Sequence, residues 1–480
     1  MNKSNRLVPF LCCFGFILIR WYRLWDAPFF DYDSVKNTLV AKEILSGNFT
    51  HLFQHGSPLI HLIHALFYPL LGNHIAFLPP VFESAGLVFM LLYLFDLYKI
   101  TDLWTQVLAY TSIGLSFLMI HLGRNISVEP YSIFIFPFWL RHYILYTKNK
   151  TSSIKHLVLL GLLLLINYKM LLLIPFVFAT DIIRYKIRIP IKEWFRYLYA
   201  LWIVPACIVL SYATTGVLFR YPVTFLALLF SRSGQQLETH ASLIFYTKYL
   251  IRFENPMIWI GILAIFFILL KKKRYSIEQK LMPSLCIYWI LIMSFLPAAP
   301  RGISIIVPLL LFFGTLLYSK ALCLIRQWKI YMLIISIPVS LGYEAYIIQT
   351  NTFRYSEQQY DRIAKAIENK NVKILYTTLS NGIIPYLDST IQVIILKDIT
   401  EWNRLPSGSY VLSDAEAILN GWKEIPVNDC IFSVSNPCKQ EAMLALENAE
   451  FAGYDFEEAL LASKKVSDLE HKQLCLNRVR

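Results

Sequence analysis

Phe30-Asp31-Tyr32-Asp33 stands just beyond the first apolar run of the chain. It is followed by Ala41-Lys42-Glu43-Ile44-Leu45-Ser46-Gly47-Asn48 and then by His55-Gly56-Ser57-Pro58-Leu59. A charged side chain at the bilayer centre costs roughly 2.5–3.5 kcal/mol on insertion scales, so acids beside a span belong at an interface or a watered cavity and read first as functional. The apolar run before them, residues 7–24, is long enough to cross a bilayer. It lacks a small-residue cleavage site and reads as a retained span, not a cleaved signal. A membrane helix followed by a structured acidic loop is the pattern from which the remaining chain is read.

Composition agrees. The 480 residues are 56% hydrophobic and 15% aromatic, with a mean hydropathy of +0.50, too apolar for a soluble globule of this length. About eleven spans are expected, at residues 7–24, 75–98, 104–120, 130–147, 154–166, 168–183, 197–216, 256–270, 281–297, 302–318 and 329–348. The fifth and sixth are short enough to form one re-entrant pair instead. The net charge of +13 does not indicate nucleic acid. From Asn351 onward there are 14 Lys+Arg against 18 Asp+Glu, so the basic excess belongs to the membrane part and is a topology signal.

Lys148, Lys150 and Lys155 mark one basic loop, and Arg184, Lys186, Arg188, Lys192 and Arg196 a second. Lys271, Lys272, Lys273, Arg274 and Lys280 mark a third, and Lys320, Arg326 and Lys329 a fourth. Together with Lys3 and Arg6 they place the N-terminus in the cytoplasm. Arg20 and Arg23 oppose that rule, which leaves two roles for them, snorkelling or service to an anionic ligand. The topology puts loop 25–74, loop 217–255 and the tail 349–480 outside. The fold expected is an α-helical polytopic membrane protein with a small extracytoplasmic α/β domain, divided as 1–348 and 349–480.

Within the first outer loop, Ser34 to Ser46 reads as a surface helix ended by Gly47-Asn48, and Pro58 to Leu71 as a second, apolar helix. Tyr246, Lys248, Tyr249 and Arg252 are spaced for one interfacial helix in the second outer loop. In the tail, Tyr360–Asn369 and Ala442–Ala449 are helix-like, while Val372–Leu379, Ile391–Leu396 and Tyr410–Ser413 are strand-like. The tail has neither a GxGxxG nor a Walker-type loop, so nucleotide binding there has little support. Cys12, Cys13, Cys207, Cys286 and Cys323 lie in or beside apolar runs as small core residues. Cys430 and Cys438 lie in the tail with their pairing open, Cys475 stands alone, and no metal-type cysteine spacing exists.

Several residues are placed to do chemistry. Asp31 and Asp33 form a D-x-D triplet, which in soluble nucleotide-sugar transferases holds a divalent metal against a diphosphate. Nucleotide sugars are cytoplasmic and this pair is predicted outside, where a lipid-phosphate sugar is the available donor. A carboxylate there acts as general base toward an acceptor hydroxyl; the bland alternative is a helix-capping aspartate. Arg301, after Pro297-Ala298-Ala299-Pro300, grips a phosphate bidentately or snorkels at the interface. Arg124 and Glu129-Pro130-Tyr131 open the fourth span, with Glu129 either orienting an acceptor or sugar hydroxyl or simply complementing the helix dipole. Lys248 and Arg252 are further candidates for the donor phosphate, and His55, Arg124 and Tyr246 for contacts to the acceptor or sugar. His51, His55, His61 and His64 cluster in the first loop, and His240 sits in the second. Residues of this kind without a ligand pattern are ordinarily hydrogen-bonded structure, so no metal site is assigned.

This layout resembles the GT-C superfamily of membrane glycosyltransferases, in particular the bacterial group of protein O-mannosyltransferases and lipid A aminoarabinose transferases, across about residues 1–320. Tyr32-Asp33-Ser34, Ala41-Lys42-Glu43-Ile44-Leu45, Gly47-Asn48 and Ser57-Pro58-Leu59 follow the order of that family's first outer loop. Arg124 through Glu129-Pro130 is similar to its second outer segment, and Pro300-Arg301 with Ile306-Val307-Pro308-Leu309-Leu310 to its late motif. The chain departs from the family at Ser34, where relatives often carry a second acid, and at Gly302, where they often carry tyrosine.

The resemblance implies inverting hexosyl or pentosyl transfer from a polyprenyl-phosphate sugar, with Asp33 as the catalytic carboxylate. The acceptor would be a lipid, a polysaccharide or a protein, and the location the outer face of a bacterial inner membrane. No cofactor is required, and a divalent metal is unsupported. The alternative class is a lipid or oligosaccharide flippase or transporter. Such proteins often show inverted repeats and polar residues at the membrane midplane; here the polar residues concentrate in the outer loops.

Overall fold

The computed structural model describes residues 7–25, 32–53, 57–149, 154–184, 203–216, 242–271, 275–296, 298–322, 328–351, 360–378, 381–388, 390–413, 430–435, 454–467 and 473–479, with a few isolated positions between them. The first part of the chain is helical: α1 Leu7–Trp21, α2 Tyr32–Leu45, α3 Pro58–Leu71, α4 Leu78–Tyr98, α5 Leu103–Gly114, α6 Phe117–Gly123, α7 Glu129–Asn149, α8 Ile154–Ile166 and α9 Leu173–Arg184. Helices Ile203–Thr215, Ser242–Phe253, Met257–Leu270, Ile277–Met293, Val307–Leu322 and Lys329–Asn351 follow. Each expected apolar run coincides with at least part of one of these helices. The two helices anticipated in the first outer loop are α2 and α3, and the one in the second is Ser242–Phe253.

Among the described residues, two continuous helical stretches are long and apolar enough to cross a membrane, Pro58–Tyr98 and Ile330–Gln349. The pair α5–α6, bent by 56°, makes a third if it is one span. Pro58–Tyr98 covers 41 residues, about twice what one crossing needs, because a 3-10 turn at Gly72–Phe77 joins α3 to α4. Leu7–Trp21, Ile154–Ile166, Pro205–Thr214, Met257–Leu270 and Val307–Leu322 are shorter apolar helices. Met257–Leu270 and Val307–Leu322 approach so closely that a Cβ on Gly261 would collide with the carbonyl oxygen of Leu310, and one on Gly314 with that of Met257. Small residues permit such close backbone contact, which supplies packing energy where hydrocarbon removes the hydrophobic drive.

The chain divides into two compact units, Met1–Trp21 with Val40–Tyr346, and Tyr22–Leu39 with Ile347–Arg480. In the second, a five-stranded sheet is built from β1 Ile374–Thr377, β2 Gln392–Ile395, β3 Tyr410–Ser413, β4 Cys430–Ser435 and β5 Gln473–Arg478, in the order β2-β1-β3-β5-β4. β1 pairs in parallel with β2 and β3, and β5 runs antiparallel to β3 and β4. Helix Tyr360–Asn369 presents Tyr360, Ile363, Ala364 and Ile367 on one stripe, buried with Leu375, Leu412, Leu474 and Leu476.

β1, β2, β3 and this helix match the sequence expectation. β4, β5 and the helix Phe456–Ser467 were not anticipated, since short segments such as Gln473-Leu474-Cys475-Leu476-Asn477-Arg478 carry too few apolar residues to announce a strand. The expected helix at 442–449 lies mostly outside the described residues. Cys475 does not stand alone: it forms a disulfide with Cys430, with Cα atoms 5.7 Å apart. Antiparallel β4–β5 pairing, with a register shift between Cys430 and Phe432, brings the two strands' cysteines together. Cys438 and Cys323 lie outside the described residues, while Cys207 and Cys286 are buried thiols as expected.

Candidate functional site

Arg301 sits on a 3-10 turn, Pro300–Ile303, between helices Ile277–Met293 and Val307–Leu322. The turn closes through Gly302 N–H donating to the Ala299 carbonyl (2.9 Å) and Ser304 N–H to that of Arg301 (3.3 Å). Buried Trp289 donates its indole N–H to the Gly302 carbonyl at 2.8 Å. Pro300, Gly302 and Ile303 are buried and Arg301 is half-buried, so its guanidinium springs from a fixed backbone. The turn packs against α6, whose next residue is Arg124.

Tyr246 reaches the same turn from another element. Its hydroxyl oxygen lies 2.7 Å from the point a Cβ on Gly302 would occupy. On helix Ser242–Phe253, Phe245, Tyr246, Tyr249, Leu250 and Phe253 are buried, whereas Lys248 is half-buried and Arg252 exposed. Lys248 and Arg252 therefore occupy the other side of this helix from Tyr246. The fold thus brings Tyr246, expected at the acceptor or sugar, to the turn that carries Arg301, expected at the donor phosphate.

Glu254, at the end of the same helix, was not singled out from sequence. Its carboxylate accepts from Leu118 N–H (2.8 Å), the Ser116 hydroxyl (2.9 Å) and the Tyr249 hydroxyl (3.0 Å). It thereby satisfies the exposed N–H end of α6 where the α5–α6 pair bends. Burial raises its pKa, against the opposing pull of these hydrogen bonds. Asn255 donates to the Ser340 hydroxyl at 2.6 Å, and the Tyr343 hydroxyl to the Glu254 carbonyl at 3.3 Å, tying this corner to helix Lys329–Asn351. A signal existed: Glu254-Asn255-Pro256 repeats, before a span, the acid-and-proline pattern of Glu129-Pro130.

Glu129 opens α7 as expected. It is buried and faces Lys169 at 3.6 Å. Lys169 belongs to a 3-10 helix, Tyr168–Leu172, in the break between α8 and α9, where the Asn167 side chain accepts from its N–H at 3.0 Å. A lysine between two strongly apolar runs was the available sequence signal. Close by, Tyr131 Oη and His64 Nε2 are 2.7 Å apart, and His61 Nδ1 donates to the Leu52 carbonyl at 2.7 Å. Both histidines are buried hydrogen-bonded structure. Among the described residues no group of three His, Cys, Asp or Glu could hold a metal ion.

Arg20 does not snorkel. It is fully buried, paired with Glu83 of α4 at 2.5 Å, and donates to the Phe16 and Gly114 carbonyls at 3.2 and 3.0 Å. Arg124, 1% exposed, donates to the Arg20 carbonyl at 2.9 Å. The carboxylate that answers Arg20 is 63 residues away in sequence, so the pair was invisible before folding.

Asp33 lies in the first turn of α2 and is half-buried. Behind it Ser34, Val35, Asn37 and Thr38 are buried, with the Thr38 hydroxyl donating to the Ser34 carbonyl at 2.8 Å. Asp31, His55 and His240 lie outside the described residues.

No family model matches the chain, and no curated protein matches it. Among solved structures it is similar to ArnT from Cupriavidus metallidurans bound to undecaprenyl phosphate. The TM-score is 0.58 at 11% identity, over 87% of this chain and 94% of that one. The same protein in the apo state gives 0.53 at 10% identity with the same coverage. The oligosaccharyltransferase of Archaeoglobus fulgidus in the apo form gives 0.49 at 11% identity, over 87% and 70%. The chain shares the fold of that ArnT, as the resemblance of its motifs led one to expect.

Proposed function

We propose that this protein is a membrane glycosyltransferase that moves a sugar from a polyprenyl-phosphate donor to a hydroxyl acceptor at the outer face of a bacterial inner membrane. The reading is carried by the fold it shares, over 87% of its length, with an ArnT crystallised with undecaprenyl phosphate. Asp33 takes the acceptor proton as the acceptor oxygen attacks the anomeric carbon. The bond from that carbon to the phosphate oxygen breaks, and polyprenyl phosphate leaves with the electron pair. Attack from the face opposite the leaving group inverts the anomeric centre. Arg301 neutralises the charge gathering on the phosphate, a task suited to a guanidinium on a fixed turn. Glu129, paired with Lys169, orients the acceptor or the sugar. The direct test is transfer from a defined polyprenyl-phosphate sugar by purified protein. Losing a charge-assisted hydrogen bond costs roughly 1.5–3 kcal/mol, so Arg301→Ala should raise the donor KM about 10–100-fold. Arg301→Lys should recover part of this, and wild-type kinetics in the alanine variant would remove Arg301 from the donor site.

The proposal includes about eleven spans, a cytoplasmic N-terminus, a membrane domain over 1–348 and an outer domain over 349–480. The Cys430–Cys475 disulfide favours this sidedness, because such bonds persist in the periplasm and are rare in the reducing cytosol. Alkaline phosphatase fused after Thr350 should be active, and fused after Lys273 inactive. The reverse pattern would turn the acidic loop to the cytoplasm and end the assignment of Asp33.

A further inference from the structure

Arg301 owes its place to neighbours with no charge. The Gly302 carbonyl is held by the Trp289 indole N–H at 2.8 Å. On the other side of Gly302, the space a side chain would need is already filled. A Cβ there would lie 2.5 Å from Met293 Cε and 2.7 Å from Tyr246 Oη. Real Cβ atoms essentially never show contacts under 3.0 Å. Tyr246 is 2% exposed and Trp289 1% exposed, so neither ring is free to swing aside, whereas the Met293 thioether is an adaptable chain end.

We infer that Gly302, Tyr246 and Trp289 are positioning residues for Arg301. The absent side chain at 302 lets the Tyr246 phenol press on the turn from the helix Ser242–Phe253, and this contact with the indole clamp fixes where the guanidinium meets its anion. The anion is the phosphate of a long-chain lipid, a diester in the sugar donor and a monoester in the polyprenyl phosphate released, which rests on the donor reading above. The second outer loop thus takes part in donor binding through its buried face, by way of Tyr246, rather than through Lys248 and Arg252. A change on that helix reaches the phosphate only by moving the Arg301 turn.

The test uses full-length protein in nanodiscs, with undecaprenyl phosphate as probe and melting temperature measured beside the dissociation constant. Tyr246→Phe removes only the hydroxyl that presses on Gly302 and should weaken binding roughly 3–10-fold. Gly302→Ala forces the phenol off the turn and should weaken binding about tenfold or more, as overpacking of a filled site does. The decisive variant is the double one. With the phenolic oxygen gone the new methyl has room, so Tyr246→Phe with Gly302→Ala should bind better than Gly302→Ala alone, a coupling expected only of residues in contact. Arg252→Ala should leave the dissociation constant within about twofold, as an exposed charge does. Wild-type protein that binds no undecaprenyl phosphate overturns the donor reading and this role with it. Wild-type binding, with additive losses in the double variant or no loss in either single variant, overturns the positioning role alone. Losses that follow melting temperature across all variants also overturn it.

Discussion

Asp33→Asn is expected to lower sugar transfer about 10²–10⁴-fold, the range typical of losing a general base, while the protein still accumulates in the membrane. Asparagine keeps the shape of aspartate and its capacity to accept at one oxygen, but it cannot take a proton. Asp33 lies in the first turn of α2, where the helix dipole favours the ionised carboxylate that a general base requires. The same negative charge opposes the positive charge that builds on the sugar ring as the bond to phosphate breaks. Its half-buried position leaves water able to solvate the amide, so folding should survive the change. Asp31→Asn should cost less, because Asp31 has no counterpart in the motif. Transfer measured in purified membranes, with expression checked by blot, decides the matter. Equal activity for Asp33→Asn and wild type would sink the assignment, and a larger loss in Asp31→Asn would move the base to Asp31.

Arg20→Ala is expected to abolish most folded protein without touching the proposed chemistry. Arg20 and Glu83 are both fully buried and paired at 2.5 Å. Removing one partner of a buried pair leaves an uncompensated charge and costs about 3–5 kcal/mol, a large share of a total stability on the order of 5–15 kcal/mol. The loss should show as a collapsed monodisperse peak in detergent and a sharp fall in melting temperature. Glu83→Ala should behave alike. Arg20→Met with Glu83→Leu removes both charges and fills the space, so it should be far less damaging than either single change. An Arg20→Ala protein that melts like wild type would show that the pair is dispensable.

The elements that sequence revealed best are those whose reason is local. The apolar runs became helices because their backbone must satisfy its own hydrogen bonds in hydrocarbon. α2 stops at Leu45 because Ser46-Gly47-Asn48 follows, and helix Tyr360–Asn369 was readable from its stripe of Tyr360, Ile363, Ala364 and Ile367. The order of motifs from Asp33 to Arg301 was enough to expect the GT-C fold. β4, β5 and the Cys430–Cys475 bond were not readable, since a short strand is chosen by its partners across the sheet.

The candidate site divides the same way. Residue type and position along the chain marked Asp33, Glu129 and Arg301, because an acid beside a span and an arginine at an interface are conspicuous against an apolar background. What each of them touches was a matter for tertiary structure alone. Arg20 acquired Glu83 from α4, and Arg124 the Arg20 carbonyl. Glu129 acquired Lys169 across the α8–α9 break, and Glu254 acquired the N-terminal end of α6. Tyr246 was expected at the acceptor or sugar and Lys248 and Arg252 at the donor phosphate, yet the burial of one face of their helix brought the phenol to the Arg301 turn and left Arg252 exposed. Charge and polarity can be read one residue at a time, but the cost of burying them depends on partners that only the packing of distant helices supplies.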